Sequence, residues 1–264
     1  MSKITGTLSE IHSLQELAQR QTPLTALHPL AKLLITIIYI ICLMSFDKYA
    51  MLGLLSMAIY PLVGFYIGQL SWRQGLWRLR LILPLVSCVG IANPIFDKHL
   101  LMLAGFSVQG GYLSFFTLLL KGVLAVLASY LLIATTTIEQ LCYALRLLHL
   151  PKILVTQLLL TYRYLTLLLQ QADTIAQAYA LRAPKQKGIH FKVWGSLAGQ
   201  LLLRSIDRAN NLYASMLLRG YQGEYYYGGP INSWSGRDWC YLLSALAVFA
   251  LIRGFTSILG GHIQ

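Results

Sequence analysis

The sequence predicts an all-α, polytopic membrane protein with about five transmembrane helices and a module of long amphipathic helices on the cytoplasmic side. Three observations carry this. The 264 residues are 56% hydrophobic and 11% charged, with a mean hydropathy of +0.60; soluble domains usually carry about a quarter charged residues. Apolar segments fill residues 33–134 and return at 239–260, and between them lies a basic stretch of helical periodicity. The formal net charge of +12 sits beside apolar segments, as expected of cytoplasmic loops and faces near anionic headgroups. Nucleic acid is therefore not an expected partner.

Residues 1–32 are mixed and partly amphipathic, with Pro23, Pro29 and Lys32 near their end and no pattern of a cleavable signal. The first span is expected at 31–46, closed by Asp47-Lys48, and the second at 49–70. Pro61 and the glycines of the second are tolerated in lipid if neighbours satisfy the freed backbone. Ser71 to Arg80 carries Arg73, Arg78 and Arg80 with Trp72 and Trp77, the signature of a cytoplasmic interface. A short third span is expected at 81–96, interrupted by Pro84 and Pro94, then an external loop or hairpin at 97–111 and a fourth span at 112–134. Lys121 lies near one end of that span. An intramembrane lysine is a functional candidate, but at that position it can also snorkel to the interface.

From Thr135 the pattern changes. Thr135-Thr136-Thr137 before Ile138-Glu139 offers a capping hydroxyl and an early acid, the start of a short helix over 138–149 that ends at Leu150-Pro151. A long helix is expected over Lys152–Arg182, stopped by Pro184 and a basic turn at Lys185, Lys187 and Gly188; a second covers Ile189–Arg219 and ends at Gly220. About 30 residues each gives rods of roughly 45 Å at 1.5 Å per residue. The Tyr-rich 221–229 and Gly228-Gly229-Pro230 break the pattern, and a last span follows at 238–259. The organisation is thus a membrane domain over 1–134, a coupling-helix module over 135–237 and a C-terminal transmembrane helix over 238–264. Residues 135–237 hold eleven Lys/Arg against four Asp/Glu, which places them in the cytoplasm, and Lys3, Arg20 and Lys32 place the N-terminus on the same side. A sixth span arises if the apolar 153–169 also crosses.

Motifs for enzymatic chemistry are missing. The aspartates and glutamates form no DxxD-type pair, no phosphate-binding GxxxxGK[ST] loop is present, and no Ser or Cys sits in a nucleophile motif. The six histidines are scattered, and Cys42, Cys88, Cys142 and Cys240 have no ligand spacing and read as small buried hydrophobes. The chain is expected to be neither an enzyme nor the holder of a cofactor or metal. The strongest local signal is instead the pair of endings, Ala178…Arg182-Ala183 and Ser215…Arg219-Gly220. In each, a small residue lies four before an arginine, on the same helical face. Small residues let another backbone approach, and a guanidinium at a helix tip offers five donors in a rigid fork. A cation at a helix C-terminus also has a purely structural rationale in the helix dipole.

With these endings stand Leu27-His28-Pro29-Leu30-Ala31-Lys32 entering the first span, Thr135-Thr136-Thr137 with Leu145 and Leu150-Pro151, Arg163-Tyr164, and Leu218-Arg219-Gly220-Tyr221-Gln222-Gly223. Together they resemble the transmembrane T component of energy-coupling factor transporters, in particular its cobalt-type, CbiQ-like branch, over nearly the whole chain. In that family the tips read Ala-Arg-Gly; here Leu181 and Leu218 replace the alanines and Ala183 the first glycine. The resemblance implies a non-enzymatic coupling subunit of an importer in the cell inner membrane. Two ATP-binding-cassette ATPase subunits would receive the tips, with Arg182, Arg219, Ala178, Ala183, Ser215 and Gly220 as the contacts. A separate substrate-capture membrane subunit would pack on the apolar faces of 138–182 and 190–218, and the implied cargo is cobalt, with nickel next. Two other readings stay open: a stand-alone permease, which would use Lys121, and a membrane-embedded transferase, in which Arg73, Arg78 and Arg80 would hold a phosphorylated lipid.

Overall fold

The computed structural model describes Ala18, Arg20 and residues 22–47, 51–91, 100–103, 106–183, 189–223 and 234–260. It is helical throughout except for one short hairpin. In chain order the elements are α1 (Pro29–Met44), α2 (Met51–Met57), α3 (Ile59–Ile67), α4 (Trp72–Gly90), β1 (Leu100–Leu103), β2 (Phe106–Gln109), α5 (Gly110–Thr135), α6 (Ile138–Leu147), α7 (Lys152–Arg182), α8 (Phe191–Leu218) and α9 (Gly236–Gly260). Helices α5 and α7 are long and apolar enough to cross a membrane, and α1 and residues 53–67 are shorter apolar helices. The protein is an all-α membrane protein. Its chain packs as two units, one built from α1–α5 and α9, the other from α6–α8.

In the first unit, α5 is the central element and touches α1, α2, α3 and α4, while α9 returns to α1 and α2. Ile35, Tyr39 and Leu43 of α1 are buried with Leu54 and Met57 of α2, Leu124 and Ala128 of α5 and Phe249 of α9. Gly64 lets α3 lie close to α5, since a Cβ there would run into the side chain of Leu131. Small residues at such contacts are how membrane helices approach closely.

The second expected span is split at Ala58, for a reason visible in its sequence. Pro61 has no N–H, so the carbonyl of Met57, four residues earlier, loses its helical donor. The Tyr39 hydroxyl supplies one from α1, at 3.1 Å. The Tyr39 ring sits 4.7 Å from that of Tyr60 and 5.5 Å from that of Phe249, joining α1, α3 and α9. Tyr39→Phe keeps the ring and strands a buried carbonyl, so it is expected to lower stability by about 1–3 kcal/mol. A fall in the thermal midpoint in detergent would register it.

Two expectations need correction, and a third is met. The third span does not begin at residue 81: α4 starts at Trp72 and runs through Pro84 to Gly90. The arginine- and tryptophan-bearing stretch is its first turns, because nothing after Ser71 breaks helical geometry. The hairpin expected within 97–111 pairs Leu100 with Gln109 through Leu103 with Phe106. Cysteines 88 and 240 are exposed and Cys42 half-buried; Cys142 alone is buried. A side chain facing lipid is in surroundings as apolar as a core, so an apolar setting in sequence does not imply burial by protein. At Cys142, outside the spanning helices, burial and then Glu139 hold the thiol above its ordinary pKa, which leaves it unreactive.

In the second unit α6 packs on α7, and α7 on α8. Helix α7 covers the expected Lys152–Arg182, and α8 is slightly shorter than expected. The short helix stops at Leu147, and His149 takes a left-handed conformation, φ 62°. The His149 N–H donates to the Arg146 carbonyl and the Leu150 N–H to that of Leu145, the paired bonds of a Schellman cap. The basic turn at 184–188, the Tyr-rich stretch beyond Gly223, Pro94 and the turn at Asp97-Lys98 lie outside the described residues.

Candidate functional site: the ends of the two long helices

Arg182 is the last residue of α7, and Arg219 lies directly after α8. Both side chains are exposed, as are Ala178 and Ser215 one turn earlier. The Ser215 hydroxyl is turned back on its own helix, donating to the Leu212 carbonyl at 2.7 Å. The two ends are built differently. Gly220 has φ +80°; its N–H donates to the Leu217 carbonyl at 2.9 Å and the Tyr221 N–H to that of Met216 at 3.0 Å. This is again a Schellman cap, with glycine at the position that requires positive φ. Ala183 ends α7 with φ −127°, a conformation open to any residue, and its N–H donates to Tyr179 at 3.0 Å. The substitution of alanine for glycine at the first tip therefore matches a helix end with no left-handed residue.

Gly220→Ala would force a Cβ into the left-handed region, at roughly 1–2 kcal/mol. The expected result is fraying of the last turn of α8, seen as faster amide exchange at Gly220 and Tyr221, with α7 unchanged.

The two leucines that stand in place of the tip alanines are among the most exposed residues of the rods. Leu181 is 83% exposed and Leu218 90%, each immediately before its arginine. Each tip thus presents an exposed apolar side chain beside a guanidinium, and arginine is among the residues enriched at interface anchors. The repeated Leu-Arg dipeptide was the available signal. Exposure continues along both rods: α8 buries none of its residues, and Phe191, Trp194, Leu202, Leu203, Ile206 and Tyr213 face outward. Exposed apolar area on this scale marks a surface meant for protein or lipid.

The other candidates fall elsewhere. Lys121 is half-buried, and its ammonium donates to the carbonyl of Phe46, just past α1. Arg73 and Arg80 are exposed on α4, and the Arg78 side chain lies outside the described set. Among the described residues no three of His, Cys, Asp and Glu gather as a metal site would need.

A second arrangement gathers His28 and Lys32 of the motif before the first span with partners distant in sequence. Asp238 in the first turn of α9 is buried, and its carboxylate accepts the N–H of Ser235 and the N–H of His28, each at 2.8 Å. Buried Lys32 donates from Nζ to the carbonyl of Thr135 at 2.8 Å. His28 caps α1, its Nδ1 accepting the Leu30 N–H at 3.2 Å. Burial depresses the His28 pKa; Asp238 opposes that effect and Lys32 adds to it.

The fold and these ends define a helical membrane protein carrying two long helices rich in exposed apolar side chains. The sequence model described as CbiQ, cobalt transport protein, matches residues 20–227. The chain belongs to this CbiQ cobalt transport protein family, a family of transport proteins. It is 33% identical over 118 residues to the nickel permease LarQ of Lactiplantibacillus plantarum, a match covering 44% of this chain and 42% of that protein. It is 27% identical over 170 residues to the cobalt transport protein CbiQ of Salmonella typhimurium, covering 59% of this chain and 73% of that one. The chain thus spans less than half the length of the first of these relatives.

Proposed function

We propose that this chain is the transmembrane coupling subunit of an energy-coupling-factor importer for a divalent transition-metal ion. One observation carries the reading: two long helices end in exposed Leu-Arg tips on a unit whose last helix buries nothing. In this reading Arg182 and Arg219, with Ala178, Ala183, Ser215 and Gly220 beside them, seat in two ATPase subunits. Opening and closing of the ATPase dimer carries the tips, and the rods convert that motion into tilting of a separate substrate-capture subunit packed on α6–α8. Packed interfaces shift between discrete arrangements, so a stiff helix pair can transmit displacement as a lever. The protein sits in the cytoplasmic membrane with its N-terminus and both arginine tips inside, as the basic excess of 135–237 favours. The names of its relatives carry cobalt and nickel, and selectivity between them belongs to the capture subunit. The permease reading has less support, because the Lys121 ammonium is engaged by the Phe46 carbonyl.

Co-purification in detergent with ATP-binding-cassette subunits of the same cell tests this. The native chain is expected to retain them, and the Arg182→Glu/Arg219→Glu double variant to lose them while inserting normally. A native chain that purifies alone and transports ions alone would refute the coupling role.

A further inference from the structure

Helix α4 opens on a stretch whose exposed residues share one face. Arg73, Leu76, Trp77 and Arg80 are all exposed, and their spacing, i, i+3, i+4 and i+7, is that of a single helical stripe. Leu76 is 59% exposed and Trp77 66%. The opposite face is committed to the protein. Gly75 is buried, and a Cβ there would come within 2.9 Å of the Phe65 ring of α3; Leu79, one turn on, is buried as well. The stripe therefore cannot turn inward.

Nothing in the protein answers its charge. The first turn of α4 holds no acidic residue, and among the described residues neither Arg73 nor Arg80 makes a hydrogen bond or ion pair. An arginine in the first turn of a helix opposes the dipole, so Arg73, unlike Arg182 and Arg219, has no rationale in its own helix end. The two arginines stand roughly 10 Å apart along the axis, with the indole between them. Residues 81–90 beyond them carry no charge, so Arg80 stands where the helix enters hydrocarbon.

That is the depth of phospholipid headgroups. Tryptophan settles at this level, and a guanidinium fork matches the geometry of phosphate oxygens. A zwitterionic headgroup brings a phosphate too, but with it a cation that two arginines and no acid would repel. A phosphatidylglycerol headgroup brings the phosphate alone. We propose that Arg73, Trp77 and Arg80 form a binding site for anionic phospholipid on the exposed face of α4, the arginines holding phosphate and the indole lying beside the glycerol region. The site is independent of the coupling reading, since all of its residues belong to one helix of the spanning unit.

The test uses the full chain in vesicles of equal parts phosphatidylglycerol and phosphatidylcholine, with bromine, a tryptophan quencher, on the acyl chains of one lipid or the other. Subtracting the emission of the Trp77→Phe counterpart isolates the Trp77 share. Brominated phosphatidylglycerol is expected to quench that share more strongly. The relative affinity for phosphatidylglycerol should fall about 5-fold on Arg73→Gln or on Arg80→Gln, and further when both are changed. Arg204→Gln/Arg208→Gln, which removes two arginines from α8 instead, is expected to leave it unchanged. Equal quenching by the two lipids in the native chain overturns the site. So does an equal loss in the α8 variant, the mark of attraction by net charge alone. A preference unchanged in Arg73→Gln/Arg80→Gln overturns it as well, and loss of co-purifying ATPases by that variant would then assign the face to a protein partner. Should the double variant not insert, the single variants decide by the same measure.

Discussion

Asp238→Ala is expected to be among the most destabilising single substitutions in the protein, because it takes the acceptor from two backbone donors, at about 1–3 kcal/mol for a buried one. The carboxylate receives two backbone N–H groups at 2.8 Å, one from His28 and one from Ser235. Alanine leaves the buried His28 N–H and the part-buried Ser235 N–H without that acceptor and removes the negative charge that acts on the Lys32 ammonium. Asp238→Asn keeps one carbonyl oxygen for an N–H and is expected to do less harm. Adding Lys32→Met to Asp238→Ala removes the stranded charge, so the double variant should be more stable than Asp238→Ala alone. The midpoint of thermal denaturation in detergent, taken over the double-mutant cycle, measures this non-additivity. Simple additivity would show that Lys32 and Asp238 do not act on one another.

Much of the helical layout was legible, and the reasons are local. Helix α7 has Pro151 before it, Pro184 beyond it and an unbroken helical period between, so its bounds were fixed by nearby residues. Gly220 after Arg219 marked the end of α8 in the same way, through the positive φ that its cap requires. The break at Ala58 was only half legible. Pro61 announces a lost hydrogen bond, but that Tyr39 would repair it depends on how α1 packs. The start of α4 was missed because arginines and tryptophans at a membrane interface read alike as loop or as helix. His28 and Lys32 stood out as part of a motif, yet their partners Asp238 and Thr135 are distant in sequence, and no periodicity links residues so far apart. Exposure of Cys88 and Cys240 was hidden for a different reason: in a membrane, the outward and inward faces of a helix share one chemistry.

Reversing one arginine tip is expected to weaken attachment to the ATPase pair by on the order of 10²-fold or more, because it turns a two-point attachment into a one-point attachment. Reversing both should leave no retention at all. The two single variants are not expected to match. The cap on Gly220 and Tyr221 holds the backbone at Arg219 in place, whereas Ala183 gives the end of α7 no such lock. A preorganised anchor loses less freedom on docking and so contributes more; Arg219→Glu should therefore be the more damaging single change. Glutamate at a helix C-terminus also opposes the helix dipole by about 0.3–1 kcal/mol, a loss that has nothing to do with a partner. Arg182→Gln and Arg219→Gln separate the two effects, since they remove the guanidinium without adding negative charge. Surface binding of each variant to immobilised ATPase dimers gives the comparison. If both glutamine variants bind like the native chain while the glutamate variants do not, the arginines serve their own helix ends, and the exposed Leu181 and Leu218 remain as the contacts to substitute next.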